Sequence, residues 1–273
     1  MTSGLTYESL NRLPLWQKMT PITLEEMRGV KLMNRIDTKY ILCSEQVLTL
    51  LHKASEQGYR IQVIGDAYAT RYDTLYYDTP ARDMYVAHHN QHLSRQKIRT
   101  RHYVDNNQTF LEIKDKSNRG RTNKRRTTIA HHSFADILGD IEAVAYLEGR
   151  CRYDIRSLSP ALSTRFVRMT LVNASRSERV TIDLDLHYED MRSGRAAEIR
   201  DMAIVEVKQD GNCHSHIKDI LQMLRIMPFK VSKYCLGTAL TVEGIKKNRM
   251  KQKLRDIEKR IGYGRVHLTR HNI

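Results

Sequence analysis

The stretch Arg95–Tyr103, RQKIRTRHY, concentrates positive charge in a way that guides the interpretation of the whole chain. Side chains of a β-strand alternate between its two faces. As a strand, the stretch therefore places four cations on one face: Arg95, Lys97, Arg99 and Arg101. Neighbouring like charges repel unless something anionic lies across them. The anion is either a set of carboxylates on adjacent strands or a ligand whose charge extends along the strand.

The composition favours an anionic partner for a globular protein. The 273 residues include 46 Lys and Arg against 31 Asp and Glu, a formal charge of +15. Such an excess suits nucleic acid, a membrane surface or a phosphate-rich small molecule. No apolar run reaches the roughly 18 residues of a membrane-spanning helix, and the N-terminus lacks a signal sequence, so we expect a cytoplasmic protein. The four scattered cysteines predict reduced thiols.

Alternating polarity predicts about eight strands and few helices. The segments with strand-like patterns are Thr38–Cys43, Ala69–Tyr77, Tyr85–His89, Leu93–Tyr103, Thr109–Lys114, Lys124–Ile129, Ser163–Val172, Arg179–Asp185 and Met202–Lys208. Helical spacing is found in residues 44–58, around 133–138, near 141–147, in 217–224 and from 232 into the 240s. The pair His88-His89 is interpreted as turn or surface residues.

Most of these strands have one apolar face and one ionic face that is rich in Lys and Arg. Carboxylates on the ionic faces are sparse: Glu112 with Lys114, Glu206 with Lys208, and Asp183 with Asp185. One interpretation is a sandwich whose ionic faces are in water. The other is a closed barrel that is polar inside and covered by helices on its apolar outside. A barrel of about eight strands has a narrow interior, so a cationic lining would need a polyanion.

The carboxylates also distinguish between kinds of polyanion. A nucleic-acid surface combines cations with aromatic platforms, and Glu112 and Glu206 on the same faces would work against it. A site for phosphate chemistry needs a divalent metal, which takes oxygen ligands from carboxylates and phosphates. Cations together with a carboxylate-held metal are typical of phosphoryl transfer, where charge neutralisation and positioning supply most of the catalysis.

Seven motifs in a fixed order resemble those of a known family. They are Thr38-Lys39-Tyr40, Tyr76-Tyr77-Asp78-Thr79, Lys97-Ile98-Arg99-Thr100-Arg101, Phe110-Leu111-Glu112-Ile113-Lys114, Arg168, Val205-Glu206-Val207-Lys208 and Lys230-Val231-Ser232-Lys233-Tyr234. The ordered set resembles the VTC (vacuolar transporter chaperone) catalytic domain, the polyphosphate polymerase branch of the triphosphate tunnel metalloenzymes, also called CYTH-like. RIDTKY at the start of the set, which includes the first motif, and SKYCLG at its end are similar to a bacterial member.

This resemblance implies an α+β fold, an antiparallel β-barrel forming a tunnel of about eight strands flanked by helices. It implies transfer of the ATP γ-phosphoryl group to inorganic polyphosphate with Mn²⁺ or Mg²⁺. Glu206 would be the metal ligand. The implied catalytic residues are Lys39, Arg99, Arg101, Lys114, Arg168 and Glu206. The implied substrate-binding residues are Arg95, Lys97, Glu112, Lys124, Arg126, Arg179, Lys208, Lys230 and Lys233.

The expected organisation is one tunnel domain over residues 1–273. Its core would lie at about 30–240, followed by a basic tail at 246–273 that is a solvated helix or partly disordered. The expected partners are ATP and polyphosphate, not nucleic acid. Without a membrane span of its own, the chain could reach the inner face of a membrane only through a membrane-protein partner.

Two other functions remain open at this stage. A tunnel triphosphatase would use the same residues with water as the acceptor, and a non-catalytic module would bind polyphosphate or a nucleotide without turnover. Two departures from the family pattern leave room for altered substrate choice. Phe166 replaces a tyrosine two residues before Arg168, and Thr181 replaces a basic residue, which leaves Arg179 as the cation of its strand.

Overall fold

A single mainly antiparallel sheet forms the centre of the computed structural model, which describes residues 5–28, 35–119, 122–211, 213–262, 264 and 266–270. Its strands are β1 (Pro21–Ile22), β2 (Arg35–Leu42), β3 (Arg60–Gln62), β4 (Thr70–Asp78), β5 (Arg95–Tyr103), β6 (Gln108–Lys116), β7 (Thr122–Thr128), β8 (Ser159–Val172), β9 (Glu178–Asp190), β10 (Arg195–Ile199), β11 (Ala203–Asp210) and β12 (Val266–Arg270).

Helices cover the outside of this sheet. They are α1 (Tyr7–Asn11), α2 (Leu24–Arg28), α3 (Ser44–Glu56), α4 (Asp83–His89), α5 (Ile141–Leu147), α6 (His216–Met223), α7 (Lys233–Thr241) and α8 (Asn248–Ile261). None of the helices in the described ranges is long and apolar enough to cross a membrane.

Eight strands make up the wall of the predicted tunnel, in the order β2-β11-β9-β8-β4-β5-β6-β7. Each pairs with the next in antiparallel fashion, and the sheet curls into a half-barrel. Within the described residues the edge strands β2 and β7 do not pair with each other. The α+β prediction of an antiparallel barrel of about eight strands flanked by helices is therefore confirmed. The expectation that the barrel is closed is wrong for the described residues, because β2 and β7 leave it open between them.

The sheet is apolar on its outer face and polar on its inner face, as the alternation predicted. In β11, Ala203, Val205 and Val207 are buried in a core cluster that includes residues of α3. Glu206 and Lys208 point to the concave side. Because successive side chains of a strand face opposite ways, one alternating sequence supplies both the core and the lining of the tunnel.

Two predicted elements between the strands are different in the structure. Residues 85–89 belong to helix α4 and not to a strand. The buried carboxylate of Asp78 accepts hydrogen bonds from the backbone N–H groups of Met84 and Tyr85, both at 2.9 Å, and so caps the helix. This cap comes from a residue outside the local pattern. The helix predicted around 133–138 is only a short 3₁₀ turn, His131–Phe134.

The basic tail is a packed part of the domain, which corrects the prediction of a solvated or disordered segment. Helix α8 buries Met250, Ile257 and Ile261 against the main core cluster. Strand β12 then pairs with β10. Three apolar residues on one helix face are enough for docking because the other faces carry the charge. Residues 263, 265 and 271–273 of the predicted tail lie outside the described residues.

Candidate active site

The half-barrel encloses a cavity of about 950 Å³. Among the described residues, thirteen lysines and arginines line it against three carboxylates, those of Asp37, Asp183 and Glu206. The cationic residues are Lys39, Arg95, Lys97, Arg99, Arg101, Lys114, Lys116, Lys124, Arg126, Arg168, Arg179, Lys208 and Lys233. Such an excess of one sign in a concave site attracts an anionic ligand.

The cationic face of β5 is confirmed. Arg95, Lys97, Arg99 and Arg101 all line the cavity. On the opposite face, Gln96, Ile98, Thr100 and His102 are buried. The interpretation as a sandwich with solvated ionic faces is therefore wrong, because the charged side chains converge inside the curl of the sheet.

The carboxylate of Glu112 lies beneath two of the cations. Arg99 lies directly across from it on β5 and donates from Nε to Oε2 at 2.7 Å. Lys124 of β7 forms an ion pair with the other carboxylate oxygen. Burial disfavours the charged form, but Arg99, Arg101 and Lys124 outweigh it and lower the pKa of Glu112. With 1% of its side chain exposed, Glu112 neutralises these cations and is covered by them.

A second carboxylate, Glu206, lies between two lysines. It lies opposite Lys39 of β2 in the sheet register and pairs with its ammonium group. Lys208, two residues further along β11, approaches the other oxygen at 3.1 Å. Burial works against the charged form, but Lys208 and Lys39 hold the pKa of Glu206 well below its usual range. The predicted metal ligand is thus ionised and already held by two cations.

Asp183 is a third tunnel carboxylate, and the predicted site did not include it. Arg168 donates to its two oxygens from Nε at 2.5 Å and from a terminal nitrogen at 2.8 Å. Lys233, at the start of α7, pairs with the same carboxylate. Burial opposes ionisation, but Arg168 and Lys233 lower the pKa of Asp183. Alternation along β9 had placed Asp183 on the ionic face, and this was the signal available to find it.

Most other predicted site residues reach the cavity. Lys114, Arg126 and Arg179 line it, together with Asp183, Glu206 and the cations of the three clusters. Two predicted site residues do not line the cavity: Glu112 is buried beneath its cations, and Lys230 is exposed. The preceding Phe229 donates its backbone N–H to the carbonyl oxygen of Lys39 at 2.7 Å, so the chain at this point runs along the edge strand β2. The motif containing Lys230 contributes to the cavity through residues 231–233.

Several lining residues were not among the predicted site residues. His88 of α4 lines the cavity, which corrects its interpretation as a turn or surface residue. The hydroxyl of Tyr76 accepts a hydrogen bond from Arg99 at 3.2 Å. Ser232 accepts one from Lys97 Nζ at 2.9 Å. Because α4 was predicted as a strand and Ser232 belongs to a helix cap, their positions depend on tertiary packing.

Two buried aromatic rings make cation–π contacts with cations of the Asp183 cluster. Phe166, where the family pattern has a tyrosine, is buried and stacks on Tyr72 with 5.2 Å between ring centroids. Lys233 Nζ lies 4.2 Å from the Phe166 centroid, and the Arg168 guanidinium lies 4.9 Å from the Tyr72 centroid. Cation–π contacts of this kind help to hold desolvated cations.

The side chains of the tunnel can bind a divalent metal only when phosphate oxygens of a bound substrate supply further ligands. Among the described residues, the one group of three clustered metal-ligating side chains is His214, His216 and Asp219, which is exposed and does not line the tunnel. Inside the tunnel, Glu206 is a single carboxylate with two lysine partners. Mg²⁺ and Mn²⁺ are commonly bound by one or two carboxylates plus substrate phosphates and water, and Glu206 fits that pattern.

The lowered pKa values of two tunnel lysines predict that the empty protein becomes more stable as the pH rises from 7 to 9. Burial and the charges of nearby arginines lower the pKa of Lys97 and Lys233 to about 8, against 10.5 normally. As the pH rises past about 8, these lysines lose their protons in the folded protein but keep them in the unfolded chain, where their pKa is near 10.5. The unfolded chain then binds more protons than the folded one, so the free energy of unfolding increases with pH. Urea denaturation at pH 7, 8 and 9 measures this slope. Lys97→Gln should make it shallower, and a stability that falls over this range would contradict the prediction.

Comparison with known proteins identifies the family. The VTC domain model matches residues 34–242. The chain belongs to the VTC domain family. The resemblance inferred from the ordered motifs is thereby confirmed, and the matched residues contain the three carboxylate clusters. No curated protein matches the chain.

Solved structures with low sequence identity are similar to this VTC domain. A candidate adenylate cyclase from Vibrio parahaemolyticus is 10% identical, with 81% of this chain and 99% of that chain covered and a TM-score of 0.41. A candidate adenylyl cyclase from Hippeastrum, described as having dominant triphosphatase activity, is 13% identical, with 77% and 98% covered and a TM-score of 0.48. The PH1819 protein from Pyrococcus horikoshii is 14% identical, with 73% and 93% covered and a TM-score of 0.41.

Proposed function

We propose that this VTC domain is a polyphosphate polymerase that transfers the γ-phosphoryl group of ATP to the end of an inorganic polyphosphate chain. The observation that carries the proposal is the charge of the cavity, thirteen lysines and arginines against three lining carboxylates. Membership of the VTC family supports a phosphate chain as the ligand. ATP and polyphosphate present a series of negative charges that can extend along the cationic face of β5.

In the proposed reaction, a terminal oxygen of the acceptor chain forms a bond to the γ-phosphorus of ATP. The bond from that phosphorus to the β–γ bridging oxygen breaks, and ADP leaves with the electron pair. The acceptor oxygen is already anionic, so no side chain has to act as the nucleophile. Lys39, Arg99 and Arg168 would hold the phosphates in line and stabilise the charge that develops on the transferred group.

Glu206 is the proposed ligand for Mn²⁺ or Mg²⁺. A metal bound there would neutralise phosphate charge and polarise the transferred group. Lys39 and Lys208 now bond to the carboxylate, and phosphate oxygens entering the tunnel would provide both lysines with new anionic partners. Asp183, on the neighbouring strand β9, forms ion pairs with Arg168 and Lys233. Its proposed role is to hold these two cations in position.

The purified full chain incubated with ATP and Mn²⁺ tests the proposal. We expect long-chain polyphosphate and an equivalent amount of ADP, separated by gel electrophoresis and nucleotide chromatography. Lys39→Ala should abolish the product. Lys251→Ala removes an exposed lysine on α8 and should leave the product unchanged.

Each product pattern has a separate meaning. Orthophosphate without polymer would overturn polymerisation and indicate hydrolysis, with water as the acceptor. Binding of ATP or polyphosphate by the unmodified protein with neither product formed, together with binding that survives Glu206→Gln, would indicate a non-catalytic module. The same trace of polymer with Lys39→Ala as with the unmodified protein would show that the tunnel does not produce it. Association with a membrane-protein partner remains a prediction, as does the absence of nucleic-acid binding.

A further inference from the structure

The charges of the tunnel are unevenly distributed along its length. The three carboxylate clusters, around Glu112, Glu206 and Asp183, together hold six cations. They lie near the middle of their strands. We call this region the tunnel centre; its cations are Lys39, Arg99, Lys124, Arg168, Lys208 and Lys233. Each of them already has an anionic partner inside the protein.

A second group of cations lies where β5 begins and β6 ends. The sheet register places Lys97 directly opposite Lys114, and Arg95 directly opposite Lys116. Together with His88 of α4, these residues form what we call the α4 mouth, and all five line the cavity. Like charges directly opposite each other on adjacent strands destabilise the pairing.

Within the described residues, the four cations of the α4 mouth form no ion pair, although Glu206 attracts Lys114 from a greater distance. In the part of the chain that the structure describes, the ion pairs formed by the tunnel carboxylates do not include these cations. Lys97 donates to the Ser232 hydroxyl at 2.9 Å, and Arg95 donates to the carbonyl oxygen of His92 at 2.5 Å. Both acceptors are neutral. The nearby carboxylate on β6, that of Asp115, accepts instead from Gln96 on the opposite face of β5.

His88 adds a titratable group to the same cluster. Burial lowers its pKa, and Lys97, Arg95, Lys114 and Lys116 lower it further. These are the charged groups that face it from β5 and β6. An imidazole surrounded by four cations stays neutral while the mouth is empty.

The other end of the cavity has a different character. Tyr103 and Phe110 line it where β5 ends and β6 begins, together with Leu24, Met27 and Ile64. The Arg126 guanidinium lies 4.5 Å from the Phe110 ring centroid. Aromatic and apolar side chains are therefore mixed with the cations at this end. The α4 mouth, by contrast, offers a polyanion only positive and neutral polar contacts from its five residues.

We propose that the α4 mouth is a separate binding site for the polyphosphate chain, beyond the tunnel centre where the triphosphate of ATP would lie. The inference rests on the proposed function and adds the direction in which the polymer extends: from the tunnel centre to the end of the tunnel next to α4. From Arg95 to Arg101 the face of β5 extends over about 20 Å, at roughly 3.3 Å per residue. This length exceeds that of an extended triphosphate, so a triphosphate bound at the tunnel centre would not reach the cations of the α4 mouth.

A double variant separates the two sites. Arg95→Gln with Lys116→Gln removes two charges from the mouth and leaves every ion pair of the centre in place. Lys251→Gln with Arg255→Gln, on the exposed face of α8, removes the same charges elsewhere. Isothermal titration calorimetry would measure binding of inorganic tripolyphosphate and of polyphosphate several tens of units long. We expect the mouth variant to lose about tenfold or more in affinity for the long chain, and less than about twofold for tripolyphosphate.

Thermal unfolding of the same proteins supplies an independent measurement. Removing opposed like charges should leave the unliganded mouth variant at least as stable as the unmodified protein. An unchanged affinity for the long chain, or an equal loss for both ligands, would overturn the assignment of a separate site. Failure of the unmodified protein to bind either ligand would overturn both proposals. Binding of both ligands without polymer synthesis from ATP would overturn the proposed function alone.

Discussion

Asp183→Asn is expected to lower the free energy of unfolding of the empty protein by about 3–5 kcal/mol, the usual result of removing one partner from a buried ion pair. Arg168, Lys233 and Asp183 expose 14%, 13% and 4% of their side chains, and the substitution leaves both cations without their anion. Urea denaturation monitored by circular dichroism measures the change. Saturating tripolyphosphate should restore much of the loss, because the ligand replaces the missing negative charge.

The matched control for this prediction is Asp185→Asn, two residues further along β9. Asp185 is exposed and pairs only with His187 in the ion pairs of the described chain, at 2.8 Å. Its φ of 52° is one that asparagine also adopts readily. We expect a change below about 1 kcal/mol, the range of surface pairs. Equal effects of the two substitutions would show that Asp183 does not neutralise the tunnel cations.

Glu206→Gln is expected to reduce the rate of polymer formation by about 100-fold or more, a loss typical of removing a group that stabilises a transition state electrostatically. The substitution keeps the shape of the side chain but removes the charge proposed to hold the metal. Affinity for tripolyphosphate without metal should be kept or increased, because Lys39 and Lys208 lose a competing anion. Initial rates of ADP release across a Mn²⁺ titration measure the effect.

Two further variants complete this test. Glu206→Asp keeps a carboxylate and should recover part of the rate at higher Mn²⁺ concentration. Glu198→Gln removes a carboxylate of β10 that pairs with Arg200 outside the tunnel and should leave the rate unchanged. If the rate with Glu206→Gln stayed within about twofold of that with Glu198→Gln, the metal-binding role would be wrong.

The lining of the tunnel was predictable because strand periodicity is a local property. Alternation alone placed Arg99, Glu112 and Glu206 on ionic faces, and all three belong to the clusters inside the half-barrel. Arg168 was predicted from the ordered motifs, and it pairs with Asp183 in the third cluster. The ordered motifs then identified the family. Asp183 could have been included on the same grounds, since the pattern of β9 had already put it on the charged face.

Other features depended on contacts between distant segments. Helix α4 forms where a strand was predicted, because the carboxylate of Asp78 caps it from outside the segment. As a result, His88 reaches the cavity. Lys230 belongs to a motif of the family but lies outside the lining. Neither position follows from local spacing.

The sequence by itself determined which faces of the strands carry charge, because side chains alternate along any β-strand whatever surrounds it. It also determined that the cations outnumber the carboxylates, and therefore that the protein needs an anion. Only the tertiary structure decided which carboxylate neutralises which cation, because pairing depends on strand register and on the curl of the sheet. Through that register, Arg99 of β5 is paired with Glu112, while Lys97 on the same strand faces another lysine, Lys114.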